Sequence, residues 1–520
     1  MEPREILARS GLCLLLAGAA LAQSGPPPLA GSFPNVAVPP GNPITPEKTL
    51  LGMALFFEEQ LSSDDTMACA TCHLPEAGGG DPRSGARHPG LDGLMRTPDD
   101  EFGSPGMVPQ DSLGRFVESP SFGVGLQATA RNSPSMINAA FFNTQFWDRR
   151  AGPVFRDLAG NVVLPDLASL ETQAVEPPVS SVEMAHAQRT WDQITAKLAG
   201  ARPLALASDL PPRLATFLGA HATYGPLFQL AFGTPAITRE RIAMALATYQ
   251  RTLVSDQTPF HLGTLTPTQL LGLDAFHNRA QCATCHPSAN GLFSDGLPKT
   301  IFLPDHPRQV KTPSLLNVGL RPRFMSSGQI NRINLVLQHY QQRGMFQPLT
   351  GDVGAMRDLL ENGLTDPRVA NRLEPFDRPT LRSERTPPGS NLLGAGRAGS
   401  GGIVPTMLAD TPPFLGNPTF QLGLGDALGG TQAGLLIARR TAAPGTLFLG
   451  VPVAIEASTA SATIVPVSPG GPGEGTATVR MPVPLDPGLI GVRFYAQWLV
   501  RDPGVRPRIA VTRAAELELF

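Results

Sequence analysis

The chain has 520 residues, which is enough for roughly two to four domains with separate hydrophobic cores. A formal net charge of −2 gives no sign of a nucleic-acid partner or of a strongly basic membrane-binding surface. Only 16% of the residues are charged, glycine and proline number 54 each, and the hydrophobic fraction is 42%, which indicates a loop-rich extracytoplasmic protein rather than a disordered one.

Residues 1–22 have the features of a secretory signal peptide. A short start that contains arginine is followed by about a dozen apolar residues and by a small-x-small cleavage site that ends at Ala22. This apolar stretch is too short to span a membrane, and no other stretch approaches the eighteen or so apolar residues that a spanning helix needs. Cys13 lies inside the apolar stretch and not at its end, which argues against a lipoprotein anchor. We therefore expect an exported protein, periplasmic or extracellular, without a transmembrane segment.

Two copies of the pentapeptide CATCH occur, at residues 69–73 and 282–286, and each follows a predicted helix. The first helix has Thr45 as its N-cap and Pro46 at its first position. The second has Thr266 and Gln269 at the spacing of a capping box. A further helix between them places Ile242, Leu246, Tyr249 and Leu253 on one face. The repeated order of helix and motif predicts two related lobes.

The CATCH motif fits one kind of chemistry better than three others. Two disulfides within the Cys-x-x-Cys pairs would restrain very little chain, and a thioredoxin-like dithiol has no need of the histidine. A zinc site would need four ligands from one place, but the second copy is far away in the sequence. Cys-x-x-Cys-His attaches haem c, because two thioethers hold the vinyl groups and the histidine binds iron. We therefore predict covalent haems on Cys69, Cys72 and His73 and on Cys282, Cys285 and His286.

The sequence changes in character after about residue 388. A Gly/Ser-rich stretch predicts a linker over residues 388–402. Short β-rich runs separated by Gly/Pro clusters follow, among them TFQLGLG, GTATVRMPVPL and VRFYAQWLV, and they predict an all-β sandwich-like domain over residues 403–520. This region contains no cysteine and no histidine, so we expect a structural or attachment role and no bound haem or zinc.

Residues 45–385 resemble the bacterial di-haem cytochrome c peroxidases, including the MauG-like branch. LGMALFFEEQLSSDDTMACATCH is similar to the family pattern around the first haem. RNSPSMINAAFFNTQFWDRRA, LETQAVEPPVSSVEMAH and KTPSLLNVGL are similar to later family blocks in the same order, although Arg149 replaces the usual glycine. The resemblance implies a mainly α fold of two cytochrome c-type haem lobes, at residues 30–235 (peroxidatic) and 236–387 (electron-transferring), ahead of the β-sandwich-like domain.

The resemblance also assigns roles at the first haem. It places Gln173 and Glu183 in the distal pocket, where a carboxylate moves the peroxide proton and an amide orients the bound peroxide. Trp147 resembles the tryptophan next to that pocket. Asn132 matches a residue that helps to hold a calcium ion between the lobes, together with backbone carbonyls near Leu320 and Pro322. His88 matches a loop histidine that binds the resting iron in some family members, although in a Gly/Pro-rich loop a plain surface histidine is the better explanation.

The sixth ligand of the second iron has three candidates, Met325, His339 and Tyr340. A thioether or an imidazole is the commoner axial ligand, whereas phenolate is rare. In the predicted helix, however, Tyr340 shares a face with Ile333 and Val336 while His339 points away. Tyr340 also falls where the peroxidases carry methionine and the MauG branch carries tyrosine. We favour Tyr340, then Met325.

The function implied by these residues is reduction of hydrogen peroxide to water with electrons from a small redox protein, such as a cytochrome c or a copper protein. The first alternative is a MauG-like oxidase of a protein side chain. The second is a di-haem electron carrier without catalysis, which would have no use for Gln173 and Glu183. No nucleic-acid partner is expected, and one calcium ion is an expected further cofactor.

Overall fold

The computed structural model describes residues 33–302, 307–344, 346–347, 349 and 351–520. The predicted signal peptide lies outside the described residues. Within them, no helix is both long and apolar enough to cross a membrane.

The helices are short and are separated by long irregular segments. The longest α-helix of the described residues has 14 residues. In chain order the α-helices are α1 (Pro46–Phe56), α2 (Cys69–Cys72), α3 (Ser169–Ala174), α4 (Trp191–Gly200), α5 (Pro212–Leu218), α6 (Gly225–Phe232), α7 (Arg239–Thr252), α8 (Pro267–Asp274), α9 (Ile333–Gln342), α10 (Asp352–Asp358), α11 (Pro367–Ala370) and α12 (Arg382–Arg385).

The strands form small hairpins in the first three quarters of the chain and two larger sheets in the last quarter. They are β1 (Ala86–His88), β2 (Glu101–Gly103), β3 (Phe155–Arg156), β4 (Val162–Leu164), β5 (Pro298–Phe302), β6 (Pro307–Lys311), β7 (Leu392–Leu393), β8 (Thr406–Leu408), β9 (Gln421–Leu428), β10 (Gln432–Ala438), β11 (Leu447–Phe448), β12 (Val451–Pro452), β13 (Ser461–Pro466), β14 (Pro472–Arg480), β15 (Arg493–Arg501), β16 (Ile509–Val511) and β17 (Ala514–Glu518).

The prediction of a mainly α protein is wrong. Helices account for 27% of the residues and strands for 19%. The physical reason is that 54 prolines and 54 glycines interrupt helical segments, since proline removes a backbone donor and glycine costs conformational entropy. The mainly α expectation did not account for the loop content between the helices or for the strand content of the last quarter.

The first lobe, defined by the hydrophobic core around α1 and α7, depends on a close helix crossing. Thr45 caps α1 as predicted, because its side chain accepts a hydrogen bond from the Lys48 N–H at 3.2 Å. A Cβ atom on Gly52 would lie 1.9 Å from the Ala245 carbonyl oxygen of α7, so only glycine permits this approach. The core thus includes α7, although the sequence interpretation places residue 236 at the start of the second lobe.

The second lobe, defined by the core around α8 and α10, repeats this arrangement. The predicted capping box of Thr266 and Gln269 is confirmed. A Cβ atom on Gly272 of α8 would lie 2.2 Å from the Ala355 carbonyl oxygen of α10. This is the same kind of close helix contact as the one between Gly52 of α1 and α7.

Two asparagines at corresponding positions of the two lobes have the same backbone conformation and the same type of hydrogen bond. Asn138 and Asn317 both have left-handed backbones, with φ of 59° and 60°. The N–H of Asn138 donates to the Leu253 carbonyl and that of Asn317 to the Leu364 carbonyl, at the ends of corresponding helical segments. This matching hydrogen-bond pattern fits a duplicated unit.

Two sheets pack face to face in the last quarter of the chain. One has the strand order β13-β10-β15-β17-β7, with β16 also paired to β15, and the other has the order β14-β9-β8. Trp498 on β15 is fully buried between them and donates its indole N–H to the Gly423 carbonyl of β9 at 2.9 Å. This is the sandwich-like arrangement that the alternating runs predict, although the sequence interpretation did not single out β10 and β13. Leu392–Leu393, inside the predicted linker, forms the edge strand β7.

The sandwich contacts the first lobe directly. The Phe116 N–H donates to the Thr478 hydroxyl at 3.0 Å, and the Gln421 side-chain amide donates to the Gly114 carbonyl at 2.9 Å. The Thr419 hydroxyl donates to the Asp65 carboxylate at 3.0 Å. The two parts therefore share a specific, hydrogen-bonded interface.

Candidate functional site

The first CATCH motif forms the short helix α2 and the residue after it. The Thr71 hydroxyl accepts a hydrogen bond from the Ala68 N–H at 2.8 Å, which fixes the start of the turn. Cys69 and Cys72 are not joined by a disulfide. Burial, and to a smaller extent the nearby Glu183 carboxylate, raises the pKa of the Cys69 thiol to about 12. Burial also raises the pKa of Cys72, and the Asp81 and Glu183 carboxylates add to the rise. Both thiols therefore stay protonated and close to Glu183.

The two motif histidines are held in the same way. His73 Nδ1 lies 3.1 Å from the Gly79 carbonyl oxygen, and His286 Nδ1 lies 2.8 Å from the Phe293 carbonyl oxygen. A carbonyl can only accept, so Nδ1 carries the proton in both rings. Nε2 then keeps its lone pair for a metal, and the backbone fixes the direction of the ring.

Gln173 and Glu183 line one cavity together with Cys69, Cys72 and His73. The volume of this cavity is about 80 Å³. Gln173 is on the last turn of α3, and Glu183 is in the loop that follows. Burial raises the pKa of Glu183, while a hydrogen bond from Ser180 and the charge of Arg150 oppose the rise. The structure thus brings Gln173 and Glu183, the two residues predicted for the distal pocket, to the first motif.

A buried ion pair holds α3 in place. Arg251 on α7 donates to both carboxylate oxygens of Glu171, each at 2.8 Å. The Asn42 amide also donates to Glu171 at 2.8 Å. These groups were not identified from the sequence, although Glu171 stands inside the LETQA block. One signal in the sequence could have suggested the ion pair. It is a charged residue, Glu171, two positions before Gln173 on a short helix.

Trp147 and Asn132 lie where the two lobes meet. The Trp147 indole N–H donates to the Asn132 carbonyl at 2.7 Å, and the Trp147 carbonyl accepts from the Lys311 N–H at 2.8 Å. Trp147 is not among the residues that line the cavity of Glu183. The Asn132 amide donates to the carbonyls of Arg323 and Met325, at 3.1 and 3.4 Å.

Two buried cations at this junction were also missed. The Lys311 ammonium donates to the Thr144 carbonyl at 2.9 Å, and burial lowers its pKa to about 8. Burial likewise lowers the pKa of Arg321 to about 10, and one of its guanidinium nitrogens has no hydrogen-bond partner within the described chain. Of the two, only Lys311 could have been noticed in the sequence, because it stands at the start of the KTPSLLN block.

The second motif lies beside Tyr340. Burial raises the pKa of Tyr340 to about 12, and nearby Cys282 and Cys285 add to the rise. Met325 and Tyr340 pack against the same hydrophobic core as Cys282. The rings of His339 and Tyr340 meet edge to face, with centroids 5.6 Å apart. All three predicted ligand candidates therefore lie in this lobe, and Tyr340 is the one whose hydroxyl is close to the thiols.

His88 lies away from the first cavity. It ends strand β1, where it pairs with Glu101, and its Nδ1 accepts a hydrogen bond from the Gly90 N–H at 3.2 Å. It is not among the residues that line the cavity of His73. In this conformation the structure does not bring His88 to the first motif.

Among the residues that the structure describes, no three His, Cys, Asp or Glu side chains converge as ligands of one metal ion. Each Cys-x-x-Cys-His unit stands alone, unlike a zinc site. A family model for di-haem cytochrome c peroxidase matches residues 46–263. The chain is also 30% identical over 356 residues to the methylamine utilization protein MauG of Methylophilus methylotrophus, a match that covers 64% of this chain and 84% of that protein. The chain belongs to the di-haem cytochrome c peroxidase family.

Two further comparisons describe its relatives. Cytochrome c551 peroxidase of Pseudomonas aeruginosa is 28% identical over 319 residues, which are 56% of this chain and 70% of that protein. A solved structure of a MauG-like protein associated with microbial copper homeostasis is 20% identical, with a TM-score of 0.45, and the match covers 67% of this chain and 97% of that one.

The residues of this chain fit the haem c that its family binds. Four thiols without disulfides stand in two Cys-x-x-Cys-His units, and each histidine has its Nδ1 hydrogen-bonded to a backbone carbonyl. At the first unit, a cavity opens next to the thiols and the imidazole. Thioether attachment and axial ligation need these groups at this spacing.

Proposed function

We propose that this chain reduces hydrogen peroxide to water at the first haem site and takes the electrons from a small redox protein through the second. The observation that supports the proposal most directly is the shared cavity of His73, Gln173 and Glu183. An electron carrier would not need a carboxylate and an amide opposite the axial histidine. Haem c, when bound, supplies the redox chemistry of O–O cleavage.

Glu183 would move the proton of the peroxide. A carboxylate at this place can accept the proton from one peroxide oxygen and return it to the oxygen that leaves as water. Burial raises its pKa, which brings the group nearer to the pH at which both protonation states are available. The Gln173 amide would donate a hydrogen bond that orients the peroxide, and the ion pair of Glu171 with Arg251 would fix its position.

The second site would receive electrons and pass them towards the first. Trp147, which is hydrogen-bonded to both lobes, is the aromatic group that we assign to the path between the sites. Tyr340 is our proposed sixth ligand of the second iron, with Met325 as the alternative. His88 remains a proposed resting-state ligand only if its loop rearranges. The Asn132 amide, near the carbonyls of Arg323 and Met325, would turn its oxygen to a calcium ion between the lobes.

A MauG-like oxidase of a protein side chain is the second candidate. It is favoured by Tyr340, because a phenolate ligand stabilises oxidised iron and this side chain lies beside the second pair of thiols. The two candidates share the first site and differ in what is oxidised. Both place the protein outside the cytoplasm, as the predicted signal peptide over residues 1–22 requires.

One experiment tests the proposal. The holoprotein, mixed with hydrogen peroxide and a small reduced cytochrome c, should oxidise two molecules of the cytochrome for each peroxide consumed. Peroxide consumption without oxidation of either a cytochrome or a small copper protein would favour the oxidase. Absence of any peroxide consumption would favour the electron carrier.

A further inference from the structure

A second cavity lies between the first lobe and the C-terminal part of the chain. Its volume is about 310 Å³, at the lower end of the range for small-molecule sites. Met67, Val108, Phe116 and Leu381 contribute its wall on the side of the first lobe, and Leu408 and Asp410 contribute the wall on the other side. Most of these side chains are buried and apolar. Neither part of the protein encloses this space by itself.

Two polar groups in the wall have hydrogen-bonding capacity left. The Arg382 guanidinium forms no hydrogen bond or ion pair within the described chain and lies over the Phe520 ring, at 5.7 Å from its centroid. Asp410 accepts the Gly389 N–H with one carboxylate oxygen, at 2.8 Å, while its other oxygen accepts no hydrogen bond from a described residue. Arg382 and Asp410 form no ion pair with each other. A guanidinium donor and a carboxylate acceptor with unused hydrogen-bonding capacity therefore lie in the wall, beside its apolar side chains.

The charges around the cavity indicate a neutral occupant. Glu59, Asp64, Glu384 and Asp410 line it together with Arg83 and Arg382, and two of these groups are already paired, Glu384 with Arg378 and Arg83 with Asp81. An anion would meet the carboxylates, and a cation would meet the two guanidinium groups, in surroundings where charges are poorly screened. A neutral molecule with one polar group avoids both costs. The Phe116 ring and the Met67 thioether favour an aromatic body.

The cavity is next to the first haem site. Met67 lines this cavity and also the one that contains His73 and Glu183. Thr71, between the two cysteines of the motif, lines it as well. A molecule bound here would be separated from that site by about the thickness of one side chain.

The geometry points to a binding site for a small neutral aromatic molecule with a hydroxyl group, of which phenol is the simplest example, at this junction. The hydroxyl donates to the free oxygen of Asp410 and accepts from Arg382, while the ring contacts Phe116 and Met67. The site is separate from peroxide binding and does not depend on the proposed reaction. It also gives the C-terminal sandwich a role, since the sandwich supplies part of the wall.

Isothermal titration of the haem-loaded full chain with phenol tests the inference. We expect saturable binding of one phenol per chain. Leu126→Trp should abolish it, because Leu126 lines the cavity and the larger ring fills it. Arg382→Gln should weaken it roughly tenfold or more, as loss of a charged hydrogen-bond donor does. Haem content and melting temperature, measured for each variant, show whether it is folded.

Two matched variants serve as controls. Leu113→Trp changes a leucine that is 60% exposed and does not line the cavity. Arg385→Gln removes a guanidinium one turn after Arg382 that bonds the Leu206 carbonyl instead. Both should bind phenol like the wild type. The inference is overturned if phenol does not bind saturably, if folded Leu126→Trp and Arg382→Gln bind normally, or if cyanide, a ligand of open haem iron, displaces the phenol.

Discussion

Arg251 and Glu171 form a two-point ion pair in the core of the first lobe, with side-chain exposures of only 1% and 0%. The pair joins α7 to α3, the helix that carries Gln173. Because neither charge can reach water, each depends on the other for its stability. The position of the Gln173 amide in the candidate active site is thus tied to a contact between residues that are far apart in the sequence.

Arg251→Met should destabilise the protein by about 3–5 kcal/mol, since it leaves the Glu171 carboxylate buried without its partner. Denaturant unfolding of the haem-loaded protein measures the change. The matched control is Arg493→Ala, which removes a partner of Glu518 from an ion pair with exposures of 62% and 48%. That loss should cost no more than about 1 kcal/mol. Similar costs for the two variants would contradict the assigned role of the buried pair.

The sequence predicted the features that local patterns determine. The capping residues Thr45 and Thr266 start their helices as expected, and alternating runs around Trp498 form a sandwich. The two motifs, with Gln173 and Glu183, could be placed because each stands in a short, recognisable block.

Long-range packing was not predictable in this way. Phe376 and Leu381 lie within the range predicted for the second lobe, residues 236–387, but belong to the core of the first. Arg378 likewise pairs with Glu76 beside the first motif. Apolar periodicity shows that such residues are buried but not which core buries them. The prediction of a mainly α protein failed for a related reason. It applied the helical character of the family's haem lobes to a chain that is rich in loops and strands.

Tyr340→Phe should change the absorption and EPR spectra of the second haem and leave those of the first unchanged. The substitution removes only the hydroxyl of a side chain whose pKa, about 12, reflects burial next to Cys282 and Cys285. Met325→Leu serves as the matched comparison, because it removes the competing thioether from the same core. A spectral change in Met325→Leu and none in Tyr340→Phe would assign the ligand to methionine.

Removal of the chain after about residue 390 should leave both haems attached. The four motif cysteines and both histidines precede this position, and the sandwich has its own core around Trp498. Stability should nevertheless fall, because Phe116 and Val124 lose their contacts with Gly423 and Gly425 and become exposed. A pyridine haemochrome assay and a melting curve measure the two effects. Loss of either haem would show that residue 390 lies within a folding unit.

Glu59 should make the stability depend on pH below neutrality. Burial raises its pKa from 4.5 to about 7 in the folded protein. The folded state therefore binds the proton more tightly, so the stabilisation is complete below about pH 4.5 and is lost as the pH rises to about 7. The contribution to the free energy of unfolding that is lost over this pH range is roughly 3 kcal/mol.

Unfolding by urea at about pH 5 and about pH 8 measures this dependence. Glu59→Gln should flatten it relative to the wild type, whereas Glu518→Gln, at an exposed carboxylate, should not. The same slope in the wild type and in Glu59→Gln would assign the dependence to other groups. The comparison of the two slopes isolates Glu59, because burial also raises the pKa of other carboxylates, such as Glu58 and Asp64.

Glu183→Gln should lower peroxide turnover by roughly two to four orders of magnitude, which is the usual contribution of a positioned general acid–base group. Glutamine keeps the size of the side chain in the cavity of His73 but can no longer accept and return the peroxide proton. Haem content should not change, since neither thiol nor imidazole is altered. Glu518→Gln is the control, because its carboxylate is 48% exposed and pairs with Arg493 in the C-terminal sandwich. Wild-type turnover in Glu183→Gln, with both haems attached, would remove this carboxylate from the mechanism and favour the electron carrier.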